Sequence, residues 1–159
     1  MKHSLNILAG ILLVLQSIPA DTSQIRDFDS LMKALKSGET VRVVIHYAQC
    51  QLISDNEIHE SAPDAIGGMT IATWEYFAKG FRGAAEAFVV ASENKLIAYP
   101  KGEGYVYNYA KIRVSENGKV KLTARYIDAK TMETVMDENF FSQVNDGKND
   151  GAVYFYKVK

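Results

Sequence analysis

The chain has 159 residues, 18 of them Lys or Arg and 19 Asp or Glu, for a formal net charge of −1. That length suits one domain, and the slightly acidic balance argues against a general nucleic-acid binder, which needs a basic surface. Cys50 is the only cysteine, so no disulfide forms inside the chain and a hydrophobic core must hold the fold.

Lys2 and His3 precede an apolar run from Ile7 to Leu15, and Ser17-Ile18-Pro19-Ala20 follows with a small residue for a signal peptidase. This order predicts a signal peptide over residues 1–20 and an exported mature domain, periplasmic or extracellular, over 21–159. The run is too short to span a bilayer, and no later stretch is apolar enough, so stable membrane insertion is not expected. Residues 21–26 read as a flexible leader. Phe28, Leu31, Met32 and Leu35 then recur at i, i+3, i+4 and i+7, which predicts an amphipathic helix over about 28–37. Asp27 suits its N-cap and Gly38 the position just past its end.

From Thr40 the composition turns to β-formers. Val41, Val43, Ile45 and Tyr47 alternate with Arg42, Val44 and His46, predicting a strand that continues to Leu52 or Ile53. Parity is lost near Cys50, where a bulge would restore it. Residues 54–68 read as a long loop with a helical turn near Glu60, and 69–77 as the second strand. Residues 85–91 and 95–99 read as a hairpin around Ser92-Glu93-Asn94. Residues 105–114 and 119–128 form the clearest hairpin. A three-residue Glu116-Asn117-Gly118 loop would pair Val114 with Val120, Ile112 with Leu122 and Ala110 with Ala124, apolar against apolar, with Gly118 left-handed. A short strand over 132–137, extended or followed by a turn over 139–144, a polar loop over 145–151 and an aromatic strand over 152–158 complete the chain.

This pattern predicts an all-β domain, an antiparallel meander of about eight strands with one N-terminal helix. A closed or nearly closed β-barrel, lipocalin-like in shape, removes exposed edges, and a sandwich fits the same strand count. The last strand is apolar on both parities and is expected to pair with the first.

Little in the chain points to catalysis. In a regular strand His46 shares a face with Cys50 but stands about 13 Å away, too far to act as its base. A buried free thiol acting as a small hydrophobe is the plainer reading. His46, Cys50 and His59 lack a recurring zinc spacing. Residues 145–151 have the composition of a calcium loop, but Lys148 occupies a place where an oxygen ligand belongs. Glu75 and Glu86 form no identifiable glycosidase pair. No catalytic residue, metal site or cofactor is therefore assigned, and the chain is not expected to be an enzyme.

The aromatic residues are the better lead. Tyr105, Tyr107 and Tyr109 share one strand face, opposite Val106, Ala110 and Ile112. With Trp74 they are the candidate ligand-binding residues, since tyrosine offers apolar area with a hydrogen-bonding tip. The plainer reading is β-propensity on a half-exposed face. The expected function is a non-enzymatic exported binding module for a small molecule, peptide or glycan in an aromatic-lined groove or cavity. The alternative is a structural or protein-interaction module with a filled core and a protein partner.

Phe28-x-x-Leu31-x-x-Ala34-Leu35-x-x-Gly38, then Val41-x-Val43 and Tyr47-x-x-Cys50, resembles the VirK family of small exported proteins. The resemblance continues through Ile66-Gly67-Gly68, Asn94-Lys95-Leu96-Ile97, residues 105–114 and residues 151–156. It implies export, a single compact domain and a host-associated setting. It carries no catalytic or ligand-binding residues that map onto this chain.

Overall fold

The computed structural model describes residues 22–55 and 57–158; the expected signal peptide lies outside the described residues. The chain begins with β1 (Thr22–Ile25) and the helix α1 (Phe28–Lys36). The helix starts where the sequence places it because Asp27 caps it, its carboxylate accepting a 2.7 Å hydrogen bond from the Ser30 N–H. It stops at Gly38, whose φ of +76° turns the chain while its N–H donates to the Leu35 carbonyl. Phe28, Leu31, Met32, Ala34 and Leu35 form the buried stripe.

The strands that follow are β2 (Thr40–His46), β3 (Gln51–Ser54), β4 (Glu57–Ile58), β5 (Ile66–Thr70), β6 (Trp74–Phe77) and β7 (Phe88–Ala98). Then come β8 (Tyr105–Ser115), β9 (Lys119–Asp128), β10 (Thr134–Gln143) and β11 (Val153–Val158). They build two open sheets, one ordered β1-β11-β2-β5 and a larger one ordered β4-β3-β10-β9-β8-β7-β6. The β8–β9 hairpin has the expected three-residue loop, pairing Val114 with Val120, Ile112 with Leu122 and Ala110 with Ala124, and Gly118 has φ +81°. β6 through β10 are a true antiparallel meander.

The all-β class holds, but the described residues form eleven strands rather than about eight, and they do not close into a barrel. The last strand, β11, does pair with β2. Its other edge takes β1, however, and β2 takes β5, so the smaller sheet ends in two edge strands, and only an isolated bridge from Val144, just past β10, to Val153 touches it from the larger sheet's side. Closure fails where the predicted strands break. Residues 40–53 are not one bulged strand: a 3₁₀ turn at Tyr47–Gln49 throws the chain from the smaller sheet into the larger. Residues 69–77 likewise divide between β5 and β6, which lie in different sheets.

Further expectations change: residues 54–68, expected as a loop with a helical turn near Glu60, hold β4 and the start of β5 and, among the described residues, no helical turn. The leader is strand β1, held along β11 from Thr22 opposite Val158 to Ile25 opposite Phe155. Residues 92–94 are not a turn but the middle of β7, an unbroken strand of 11 residues.

The sheets face one another across a single core. Val41, Val43, Ile45 and Phe155 of the smaller sheet, Val89, Ile112, Val114, Leu122 and Phe140 of the larger, and Leu31 and Leu35 of α1 belong to it. The gap beneath Leu31 and Leu35 is about 10 Å³, barely the space of one water. This end of the molecule is filled.

Candidate functional site

The smaller sheet covers only part of the larger one, and the inner face of β7 to β10 changes character along its length. At the covered end it carries Val89, Ala91, Ile112, Leu122 and Phe140, all buried. Continuing in the same parity it carries Glu93, Lys95, Asn108, Tyr126 and Glu138. Such polar groups tolerate an inner face only where water or a partner reaches them. Two adjoining cavities, about 220 and 340 Å³, lie over this region and share Tyr47, Gly67, Asn108 and Ala124. They make one open cleft between the β5 side of the smaller sheet and the uncovered end of the larger.

Tyr47 stands at its centre because the 3₁₀ turn projects it there. Its ring packs on Phe140 with centroids 4.7 Å apart. A Cβ on Gly67 would lie 2.8 Å from that ring, so glycine lets the tyrosine lie against the β5 backbone. Burial pushes the Tyr47 phenol above its ordinary value, with smaller contributions from Cys50, Tyr126 and Glu138 nearby. It is therefore a neutral hydrogen-bonding group. Glu93 and Lys95 form an ion pair on the facing wall.

β5 is also an edge. Ile71 N–H donates to Val41 O and Tyr47 N–H to Ala65 O, which fixes the alternation along the β2–β5 ladder. Residues 65, 67, 69 and 71 face β2, so the main-chain groups of Ile66, Gly68 and Thr70 point away from it. Among the described residues no strand pairs with that side.

The candidate aromatic residues lie on two faces of the larger sheet. Tyr105, Tyr107 and Tyr109 lie on the outer face of the larger sheet, where Tyr105 is 62% exposed. Tyr107 sits between Leu96 and Ile127, making an aliphatic and aromatic cluster there. Trp74 lies opposite Ala91 on the inner face and packs against the core. It shares no surface with the tyrosines, and none of the four lines the cleft.

Cys50 is buried, its thiol 3.6 Å from the His46 carbonyl. Burial pushes that thiol up, and a hydrogen bond with Ser142 only partly opposes the shift. The His46 ring packs instead on Tyr154 at 5.2 Å. In the 145–151 loop the Asp146 carboxylate accepts from the Lys148 and Asn149 N–H groups, which holds it below its ordinary value. Among the described residues, no group of three His, Cys, Asp or Glu is placed to hold a metal, and no helix is long and apolar enough to cross a membrane.

Comparison with known proteins agrees with the opening motif. The family model described as VirK protein matches residues 24–132. The chain belongs to the VirK family. A solved VirK family protein from Legionella pneumophila is similar in fold, with a TM-score of 0.62 at 16% identity, over 83% of this chain and 97% of that one. No match was found among curated proteins. The similarity in this VirK chain starts inside β1 and includes the cleft-forming Tyr47 and Gly67-Gly68, while β10 and β11 fall beyond the matched residues.

Proposed function

We propose that this VirK domain is an exported, non-enzymatic protein-interaction module that takes an extended segment of a partner protein along β5. The observation that carries this reading is the free edge of β5 bordering the cleft. Outward main-chain groups at Ile66, Gly68 and Thr70 offer an added strand its hydrogen bonds, and the cleft offers its side chains room. The filled half of the interior supports the same reading, because it leaves no enclosed space for a small ligand. The open half is a wet trough, better matched to a chain than to a compact apolar molecule. Export rests on the order of residues 1–20.

Selection from a displayed library of linear peptides tests it. Selected peptides should bind the mature domain with measurable heat in titration calorimetry. Thr70→Pro removes one outward N–H without breaking a β2–β5 hydrogen bond, and should abolish that heat while the urea midpoint stays near the parent's. If peptides bind equally well to Thr70→Pro, or if only compact small molecules bind, the edge reading is wrong.

A further inference from the structure

The outer face of the larger sheet, turned away from the cleft, carries a second pattern. Lys111 and Arg113 on β8 and Lys119 and Lys121 on β9 are all exposed, while the alternating Ile112, Val114, Val120 and Leu122 are buried; Lys111 also borders the cleft. Arg113 stands directly opposite Lys121. Like charges so placed repel and weaken a sheet. Two rings hold them apart: the Arg113 guanidinium lies 3.7 Å from the centroid of Phe88, and the Lys121 ammonium 5.4 Å from that of Phe141. Among the described residues none of the four cations forms an ion pair. The acids nearby are engaged elsewhere or lie at the margin: Asp137 is held by Arg125 at 3.0 Å, Glu75 lies on the edge strand β6, and at the hairpin end Glu86 accepts a hydrogen bond from Asn117 and Glu116 one from the Ala87 N–H. A chain of net charge −1 thus concentrates unpaired positive charge on one hairpin face.

We propose that this face docks peripherally on an anionic lipid bilayer. Charge complementarity calls for a negative partner, and the form of the face selects which. The four cations stand at alternating positions on two neighbouring strands of one hairpin, so they present a surface to a surface rather than a groove to an acidic peptide. Phe88 and Phe141 are covered by cations, so they offer no free platform on which nucleic-acid bases would stack. The aromatic row continues from Phe88 through Phe77 to Phe81, which is 43% exposed with Arg82 over its ring. That rim suits the headgroup layer, where an apolar ring and a cation are both accommodated. Docking here leaves the β5 edge, in the other sheet, open.

Sedimentation of the mature domain with phosphatidylcholine vesicles, with and without phosphatidylglycerol, tests the proposal. The domain should partition to the phosphatidylglycerol vesicles at low salt and be released as salt rises. Each neutralised cation should lower the partition coefficient about fivefold, so Lys111→Gln with Lys119→Gln should lower it on the order of twentyfold. That pair makes no ring contact, and an unchanged urea midpoint shows that the fold is kept. Arg113→Gln with Lys121→Gln should act alike. Equal partition to both vesicles, no partition to either, or full partition of the Lys111/Lys119 variant would overturn the proposal. So would binding to a single-stranded oligonucleotide that the vesicles fail to displace.

Discussion

Truncating Leu31 tests how the two sheets are held together. Its side chain is 1% exposed and faces the narrow gap bounded by Ile71, Val89, Ile112 and Phe155 from both sheets. Leu31→Ala removes transfer free energy and leaves a cavity whose walls resist collapse. The strands behind those walls are tied by ladder hydrogen bonds, and α1 is fixed at its ends by Asp27 and Gly38. The cost should fall in the middle of the range for such changes, about 3 kcal/mol. With a urea slope of about 1.5 kcal/mol/M the midpoint should drop by about 2 M. Lys33→Ala, on the exposed face of the same helix, should move stability by less than about 0.5 kcal/mol. Equilibrium urea unfolding followed by Trp74 fluorescence and far-ultraviolet circular dichroism gives both numbers. An unchanged midpoint for Leu31→Ala would show that α1 is an appendage and that the sheets cohere without it.

Alkali should destabilise the domain. Burial raises the pKa of Cys50 and of Tyr47, so the stability from keeping both neutral is full below their unfolded values and is lost as pH climbs past about 9.0 and 10.0. Urea midpoints measured across that range should fall, and Cys50→Ala should flatten the first part of the decline. Gly68→Ala should destabilise more than Gly67→Ala, because a Cβ at 68 would meet the Val43 carbonyl at 2.6 Å, whereas at 67 it meets only the Tyr47 ring, which can tilt; thermal melts of both variants check this. Tyr107→Ala should leave the Trp74 emission maximum unchanged, because the two residues lie on opposite faces of the sheet; a shift would show that they communicate.

Where local chemistry decides structure, the sequence is a good guide. α1 is readable because its apolar spacing, the Asp27 cap and Gly38 agree. The β8–β9 register is readable because one choice of loop matches Val114, Ile112 and Ala110 with apolar partners. The readings fail where a residue answers to something distant. Thr22-Ser23-Gln24 has no apolar alternation, yet β11 offers it an edge and makes it a strand. Ser92-Glu93-Asn94-Lys95 resembles a turn because it is polar, but its polarity reflects the uncovered end of the larger sheet. The barrel fails for the same reason: only the tertiary path shows that Tyr47–Gln49 is a crossing between sheets. The cleft left a faint signal in Glu93, Lys95 and Asn108, which share parity with Ala91 and Ile112, and in Gly67-Gly68 between Ile66 and Met69. Chemical type groups Trp74 with the tyrosines, and type does not fix the face of a sheet.

Amide hydrogen exchange along β5 tests the central claim most directly. In the free domain, Gly67, Met69 and Ile71, which bond to β2, should be protected, while Ile66, Gly68 and Thr70 should exchange quickly. Saturation with a selected peptide should bring protection to those outward amides, with chemical-shift changes at Tyr47 and Asn108 across the cleft. Outward amides already protected in the free domain, or left fast-exchanging in the complex, would contradict strand addition at this edge.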